Sequence, residues 1–441
     1  MTKHIRGHEI RFLYSICFFV FSLFYLPLFI IKGKHKEGFL SRFGYVPKPI
    51  QEKLFGKKVI WVHAVSVGEV VQAVRLVGLL KEKLGHVRFV ITTTTSTGQE
   101  VARKAKQDET ILLYFPIDFG FSVSSFLNAT SPTAVIVLET EIWPNLIFEL
   151  SKRRIPVFLM NARISDRALG QYRKVRRWMG PLLNRFEAIG AQDDLMRARF
   201  LALGATPARV SVTGNMKFDW RPPAAAEALL QGIERNVRDS QTRFFCVAVS
   251  THRGEEAMLF DIYKSIRAHF KDFRLLIAPR HLDRMAEIQK EAAEKEIRLM
   301  KASDALIERS VSGESREVLI LDAMGVLSNL YQLADAVFIG GSLVPVGGHN
   351  LVEPAFFERP VLFGPFMNNF REMAEMFKKE NAGVEVKTAA ELEDRLIQLM
   401  QDPAKRRSLG TLAKQLIQRH EGATDRNIQL FLKASSIQRS F

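Results

Sequence analysis

The sequence predicts an α/β protein with two doubly wound parallel sheets. Short β-branched runs alternate with stretches of helical periodicity along the body of the chain, the rhythm of βαβ units. That rhythm stops near residues 214–223 and restarts, which gives two Rossmann-like halves joined around residues 216–225 and facing a cleft. With 441 residues, 47% of them hydrophobic and 25% charged, the chain has material for two to three domains of ~100–200 residues. The same composition excludes a disordered, collagen-like or disulfide-scaffold protein.

The first element is an apolar run. Residues 12–31 are twenty residues without a charge, interrupted only by Ser15, Ser22 and Pro27. As a helix they would span ~30 Å, the thickness of a bilayer's hydrocarbon core. Lys3, Arg6 and Arg11 precede the run, and Lys32, Lys34 and Lys36 follow it. The run exceeds the ~7–15-residue core of a cleaved signal peptide and has no small-x-small site. The expectation is an uncleaved membrane anchor over residues 1–37, with the following lysines favouring a cytoplasmic body. A helix lying in the interface fits the same pattern.

In the first half, residues 59–64, 87–94, 111–115, 134–139, 156–160 and 188–191 read as strands. Helical periodicity fills 69–84, 97–106 and 143–152. In the second half, strands are read at 244–249, 274–277, 318–321, 336–340 and 361–363, and helices at 255–268 and 281–295. Residues 303–317 form a mostly polar loop, and the stretch from Ala404 is helical and basic.

Charge is clustered. Residues 1–48 hold 8 basic and 2 acidic side chains, and residues 152–219 hold 14 and 5, so these two stretches carry nearly all of the net +16. Such clusters suit an anionic partner: a membrane surface, a phosphate-bearing substrate or nucleic acid. Cys17 and Cys246 are too few for a disulfide framework or a cysteine zinc site, as in a reducing compartment.

Ligands of open α/β sheets bind beyond the carboxyl ends of the strands. The first strand runs into Trp61-Val-His-Ala-Val-Ser-Val-Gly-Glu69, so Glu69 lies at a strand-to-helix turn beside a glycine. A carboxylate there can take a proton from a hydroxyl, or simply complement the helix dipole. Glu139 and Glu141 follow the fourth strand at spacing two, on one face while the backbone stays extended. Lys217, in Gly214-Asn-Met-Lys-Phe-Asp219, falls at the domain junction, either a cation for a leaving phosphate or a linker lysine.

In the second half, Pro279-Arg280-His281 ends a strand, and Arg280 there is a natural phosphate ligand. Gly340-Gly-Ser-Leu-Val-Pro-Val-Gly-Gly-His-Asn-Leu-Val-Glu353 is a glycine-rich turn whose backbone N–H groups suit a phosphate or carboxylate. Glu353 beyond it could accept from ribose hydroxyls. The turn matches neither the P-loop nor the dinucleotide fingerprint, which disfavours a dehydrogenase. No histidine pair has metal-ligand spacing and no Gly-x-Ser-x-Gly elbow occurs.

Taken in order, the segments ending at Glu69, Glu139-Thr-Glu-Ile-Trp-Pro-Asn145, Asn161-Ala-Arg163, Gly214 to Asp219, Pro279 to His281 and Gly340 to Asn350 resemble a family. It is the 3-deoxy-D-manno-octulosonic acid (Kdo) transferases of bacterial lipopolysaccharide synthesis. The resemblance implies the GT-B glycosyltransferase fold, with an acceptor-binding domain over residues 38–220 and a nucleotide-sugar donor-binding domain over 221–441. It implies inverting, metal-independent transfer of Kdo from CMP-Kdo to the lipid A precursor (lipid IVA), without a cofactor. Carried over residue by residue, Glu69 is the general base, and Glu139 and Lys217 stabilise the transition state. Pro279, Arg280, Met324, Gly325, Val326, Asn350, Leu351, Val352 and Glu353 fall in the CMP-binding segments, with Val326 standing where many relatives carry glutamate. The implied partners are CMP-Kdo, the lipid A precursor and anionic inner-membrane lipids, not nucleic acid. The implied location is the inner membrane, anchored by the N-terminal helix, with the catalytic domains on the cytoplasmic side. Two rivals are a GT-B transferase using a UDP-sugar and a tethered basic protein that holds nucleic acid. The second lacks the interleaved aromatic and basic residues of a strand-binding groove.

Overall fold

The computed structural model describes residues 7–31, 38–105, 109–222, 231, 234, 244–303, 317–323 and 327–440. Met324, Gly325 and Val326 lie outside the described residues, as does most of the polar loop expected at 303–317. The chain divides into two units, one of Met1–Asp219 with Gly422–Phe441 and the other of Trp220–Glu421.

In unit 1 every residue of β1 (Val59–His63) is buried, as in parallel strands covered on both faces. It belongs to a seven-stranded sheet with β2 (Arg88–Thr93), β3 (Ile111–Tyr114), β4 (Ala134–Leu138), β5 (Val157–Ala162), β6 (Ala188–Ala191) and β7 (Val210–Val212). The order is β3-β2-β1-β4-β5-β6-β7, and every pairing is parallel. Successive side chains feed opposite cores. Val59, Trp61, Val135 and Val137 pack with Phe126 and Leu146 on one face. Ile60, Val62, Ile136 and Leu138 pack with Val70 and Leu76 on the other.

That second core explains where the chain's last residues go. Residues 422–441, expected in the second half, belong to unit 1. Ala423, Ile428, Phe431 and Ile437 are buried in its core, an apolar face that the basic composition of this stretch concealed. Asp219 fixes the return by accepting from the backbone N–H of Gly422 at 2.6 Å and from that of Thr424. Thr213 Oγ1 adds a buried hydrogen bond to Asn427 Oδ1 at 3.2 Å.

The N-terminal expectation is corrected. A helix forms over Gly7–Ile31, but among the described residues no helix is long and apolar enough to cross a membrane. The expected membrane-anchor helix, and the anchored inner-membrane location read from it, are not supported. The physical reason is that one face of this helix is committed to the body of unit 1. Arg11 ion-pairs with Glu149 at 2.6 Å and donates to Asn145 Oδ1 at 3.1 Å. Ser15 donates to the same amide oxygen at 3.1 Å, and Phe18 meets Phe119 edge-on at 5.1 Å.

Unit 2 repeats the architecture with β8 (Phe244–Thr251), β9 (Phe273–Pro279), β10 (Arg298–Lys301), β11 (Glu317–Ile320), β12 (Ala336–Ile339), β13 (Val361–Phe363) and β14 (Val384–Glu385). Its seven parallel strands run β10-β11-β9-β8-β12-β13-β14. In both sheets the order reverses beside the first strand, between β1 and β4 and between β8 and β12. Such a switch point opens a ligand crevice at the strands' carboxyl ends.

Candidate active site

The unit 1 switch point gathers carboxylates. Ser66 caps the Val67–Leu84 helix and Glu69 completes a reciprocal capping box. The Glu69 carboxylate accepts from Val65 N–H at 2.9 Å, Ser66 N–H at 3.3 Å and Ser66 Oγ at 2.8 Å. The helix-start reading of Glu69 is met by this capping box, and the residue stands at the switch point of the sheet. Burial, and then the Glu139 charge, raise its pKa above the usual carboxylate range.

Glu139 departs from the extended geometry expected of it. The strand ends at Leu138, and Glu139 adopts φ 56°, in the left-handed region that a side chain enters at a cost. The same-face argument for Glu139 and Glu141 therefore does not apply. The turn brings the Glu139 carboxylate to Lys217 Nζ at 3.1 Å, with Arg163 at 3.9 Å. Lys217 is held by a short helix, Met216–Asp219, whose start is fixed through Asn161 Oδ1, which accepts from Met216 N–H at 3.0 Å. Asn161 is itself left-handed, at φ 53°. Glu141 accepts from Trp143 Nε1 at 2.8 Å, and burial, then the charge of Glu69, push it up to about 7.

The unit 2 switch point gathers imidazoles. His252 follows β8, and its Nε2 lies 3.0 Å from His349 Nε2, the rings stacked at 5.3 Å. His281 stands edge-on to His252 at 5.7 Å. Burial, then the Arg280 charge, lower His349 to about 4, and burial, then the His281 charge, lower His252. Arg280 is exposed, with its N–H bound to Thr251 O at 3.0 Å. This is a surface of one guanidinium and three rings, suited to an anion with a ring or sugar attached.

The glycine-rich turn does something other than expected. The N–H groups of Gly341, Ser342 and Leu343 are aimed at an anion, but the anion is Glu255, at 2.7, 3.1 and 3.0 Å. Gly341 has φ 63°, and a Cβ there would lie 3.0 Å from His252 Cδ2, so the close turn requires glycine. Of the other expected residues, Asn350 donates to Glu353 at 3.3 Å, and burial raises Glu353. Pro279, Leu351 and Val352 have buried side chains, which leaves them mainly backbone to offer.

Sequence reasoning missed His252, His349 and Glu255. A signal existed: His252-Arg-Gly-Glu255 follows β8 as Ala64 to Glu69 follows β1, a strand, a glycine turn and a glutamate opening a helix. The basic stretch 152–219 also splits in two. Arg185, Arg199 and Arg209 bind Ser151, Ile164 and Phe186 oxygens within the fold, whereas Arg173, Lys174, Arg176 and Arg177 are exposed.

Comparison with known proteins bears on this geometry. The family model for 3-deoxy-D-manno-octulosonic-acid transferase (kdotransferase) matches residues 37–220. The chain is 32% identical over 374 residues to the 3-deoxy-D-manno-octulosonic acid transferase of Haemophilus influenzae, covering 84% of this chain and 86% of that one. It is 28% identical over 418 residues to the protein of the same name from Chlamydia trachomatis, 93% of each. A glycosyltransferase from Rickettsia africae shares the fold at TM-score 0.58 and 12% identity, over 86% of this chain and 99% of that one. UDP-GlcNAc 2-epimerase from Neisseria meningitidis, bound to UDP-GlcNAc, does so at TM-score 0.56 and 13% identity, over 85% and 100%. At those identities the likeness is one of fold alone.

Proposed function

The chain belongs to the 3-deoxy-D-manno-octulosonic acid (Kdo) transferase family of glycosyltransferases, and on that premise we propose that it carries Kdo from CMP-Kdo to the lipid A precursor by a single inverting displacement. The observation that carries the proposal is the convergence of Glu69 with the Glu139–Lys217 pair at one switch point. Glu69 takes the proton of an acceptor hydroxyl. The freed oxygen attacks the anomeric carbon of Kdo from the face opposite CMP. The bond from that carbon to the phosphate oxygen breaks, and CMP leaves with the electron pair.

The three hydrogen bonds on Glu69 orient its carboxylate, and its raised pKa makes it a stronger base near neutral pH than an exposed glutamate. Lys217, steadied by Glu139, stabilises charge as it develops. Arg280 and the imidazoles of unit 2 are assigned to the donor's phosphate and carboxylate, and Asn350 and Glu353 to its ribose. Met324, Gly325 and Val326 are assigned to CMP on the resemblance.

The test is mass spectrometry of acylated glucosamine disaccharide acceptor after incubation with a CMP-Kdo-generating system. The expected result is a gain of one or more Kdo masses, with CMP, not UDP, raising the thermal unfolding temperature. No gain from folded protein, or protection by UDP alone, would discard the donor or the acceptor.

A further inference from the structure

We propose that an aromatic cavity in unit 1 holds one acyl chain of the acceptor, a subsite whose assignment rests on the lipid-acceptor reading above. The cavity measures about 390 Å³, within the ~300–1,000 Å³ range of small-ligand pockets. Its walls are Phe18 and Phe21 of the N-terminal helix, Phe39 and Phe43, and Phe115 and Trp143 near the strand ends. Phe21 is 57% exposed, so the cavity opens to the surface.

Most polar groups in the lining are already engaged. Ser22 donates to Phe18 O at 2.7 Å. The Arg42 guanidinium donates to Thr94 O at 2.8 Å and lies 4.5 Å from the Tyr114 ring centroid. Asp118 accepts from the N–H groups of Asn145 at 3.0 Å and Leu146 at 2.8 Å, where it caps the Pro144–Lys152 helix. The Trp143 N–H goes to Glu141. Thr94 Oγ1 is buried without a partner, a polar atom left for a linkage oxygen. A nucleotide or a sugar here would lose its water and gain almost nothing in return. A hydrocarbon chain loses nothing.

The position of the cavity selects its occupant. Trp143 forms a wall and holds Glu141, and Glu141 feels the charge of Glu69. Phe115 packs 5.5 Å from Trp143 and 3.9 Å from His63, centroid to centroid. The cavity thus backs onto the carboxylate cluster. A molecule that places a hydroxyl at Glu69 and fills this cavity carries a hydrocarbon tail close to a sugar, which describes an acylated sugar lipid.

Two measurements test the assignment. A dibrominated fatty acid in the cavity should quench Trp143 fluorescence in the full-length protein, and the quench should vanish in Trp143→Phe. In transfer assays with acceptors of graded acyl length, KM should fall roughly fourfold per methylene until the cavity is full. Ser22→Phe, which fills the cavity from the helix side, should flatten that dependence. Transfer with no quenching and with the same chain-length dependence in Ser22→Phe overturns the cavity assignment alone. Absence of product from every acylated acceptor overturns the acceptor reading and this assignment with it.

Discussion

Glu69 and Glu255 occupy matching places in the two units. Each follows its unit's first strand and stands in the first turn of the next helix. Glu255 is wholly buried and receives N–H groups from His252 and from three residues of the glycine-rich turn. Glu69 receives its donors from its own turn, and its remaining neighbours include two carboxylates. Burial raises the pKa of both. The partners differ in kind: one glutamate clamps a loop that shapes a site, and the other faces groups that dispose it to accept a proton. Position at a switch point nominates a residue, and the set of donors around it decides what the residue can do.

The sharpest way to break this contrast is Glu69→Gln. It should cut kcat ~10²–10⁴-fold in the mass-spectrometric assay, and, because its amide N–H₂ also meets the Val65 or Ser66 N–H, lower the unfolding temperature by no more than Glu255→Gln does. A variant that lost stability in proportion to activity would make Glu69 a clamp like Glu255. Next, Lys217→Met should lower kcat by ~10²–10³-fold with little change in CMP affinity. A loss confined to KM would move Lys217 from the transition state to ground-state binding.

Glu255→Gln should behave in the opposite way. Its new N–H₂ faces backbone donors, so the fold should lose about 1–3 kcal/mol and several degrees of unfolding temperature. Intact stability with lost activity would make Glu255 a participant in the chemistry.

The smallest effect concerns pH, where the two sites should respond with opposite sign. On the proposed mechanism Glu69 acts deprotonated, and its pKa is raised, so kcat/KM should decline as pH drops through that raised value. His252 and His349 have lowered pKa values and are neutral near pH 7. A phosphate beside them favours their charged forms, so CMP binding should take up protons and tighten as pH falls from 8 to 6. Calorimetry in two buffers of different ionisation enthalpy reads that uptake directly. Proton release on binding would remove the imidazoles from the donor site.

How much was legible in the chain follows from how local each feature is. The central strands β1, β4, β8 and β12 announce themselves as apolar runs because both their faces are covered. The edge strands β7, β10 and β14 went unread: Val210–Val212 and Arg298–Lys301 are short and half polar, with little to bury. Glu69, Glu139 and Lys217 were visible because each lies in a distinctive segment at a strand end or junction. His252 and His349 stand 97 residues apart, and only the pairing of β8 with β12 brings them together. The left-handed turn at Glu139 carries no glycine to betray it. The apolar N-terminal run misled for a related reason: composition gave its hydrophobicity but not the use of Arg11, Ser15 and Phe18 as a docking face.

The return of residues 422–441 to unit 1 has a consequence for the order in which the protein is made. A ribosome finishes Asp219 long before it reaches Phe431. At ~5–20 residues per second, the intervening unit takes roughly 10–40 s to emerge. Through that interval the face of the first sheet that Phe431 will cover has no lid, and the nascent chain presents it to water and to passing chaperones. The unit that begins synthesis first is therefore the last to close.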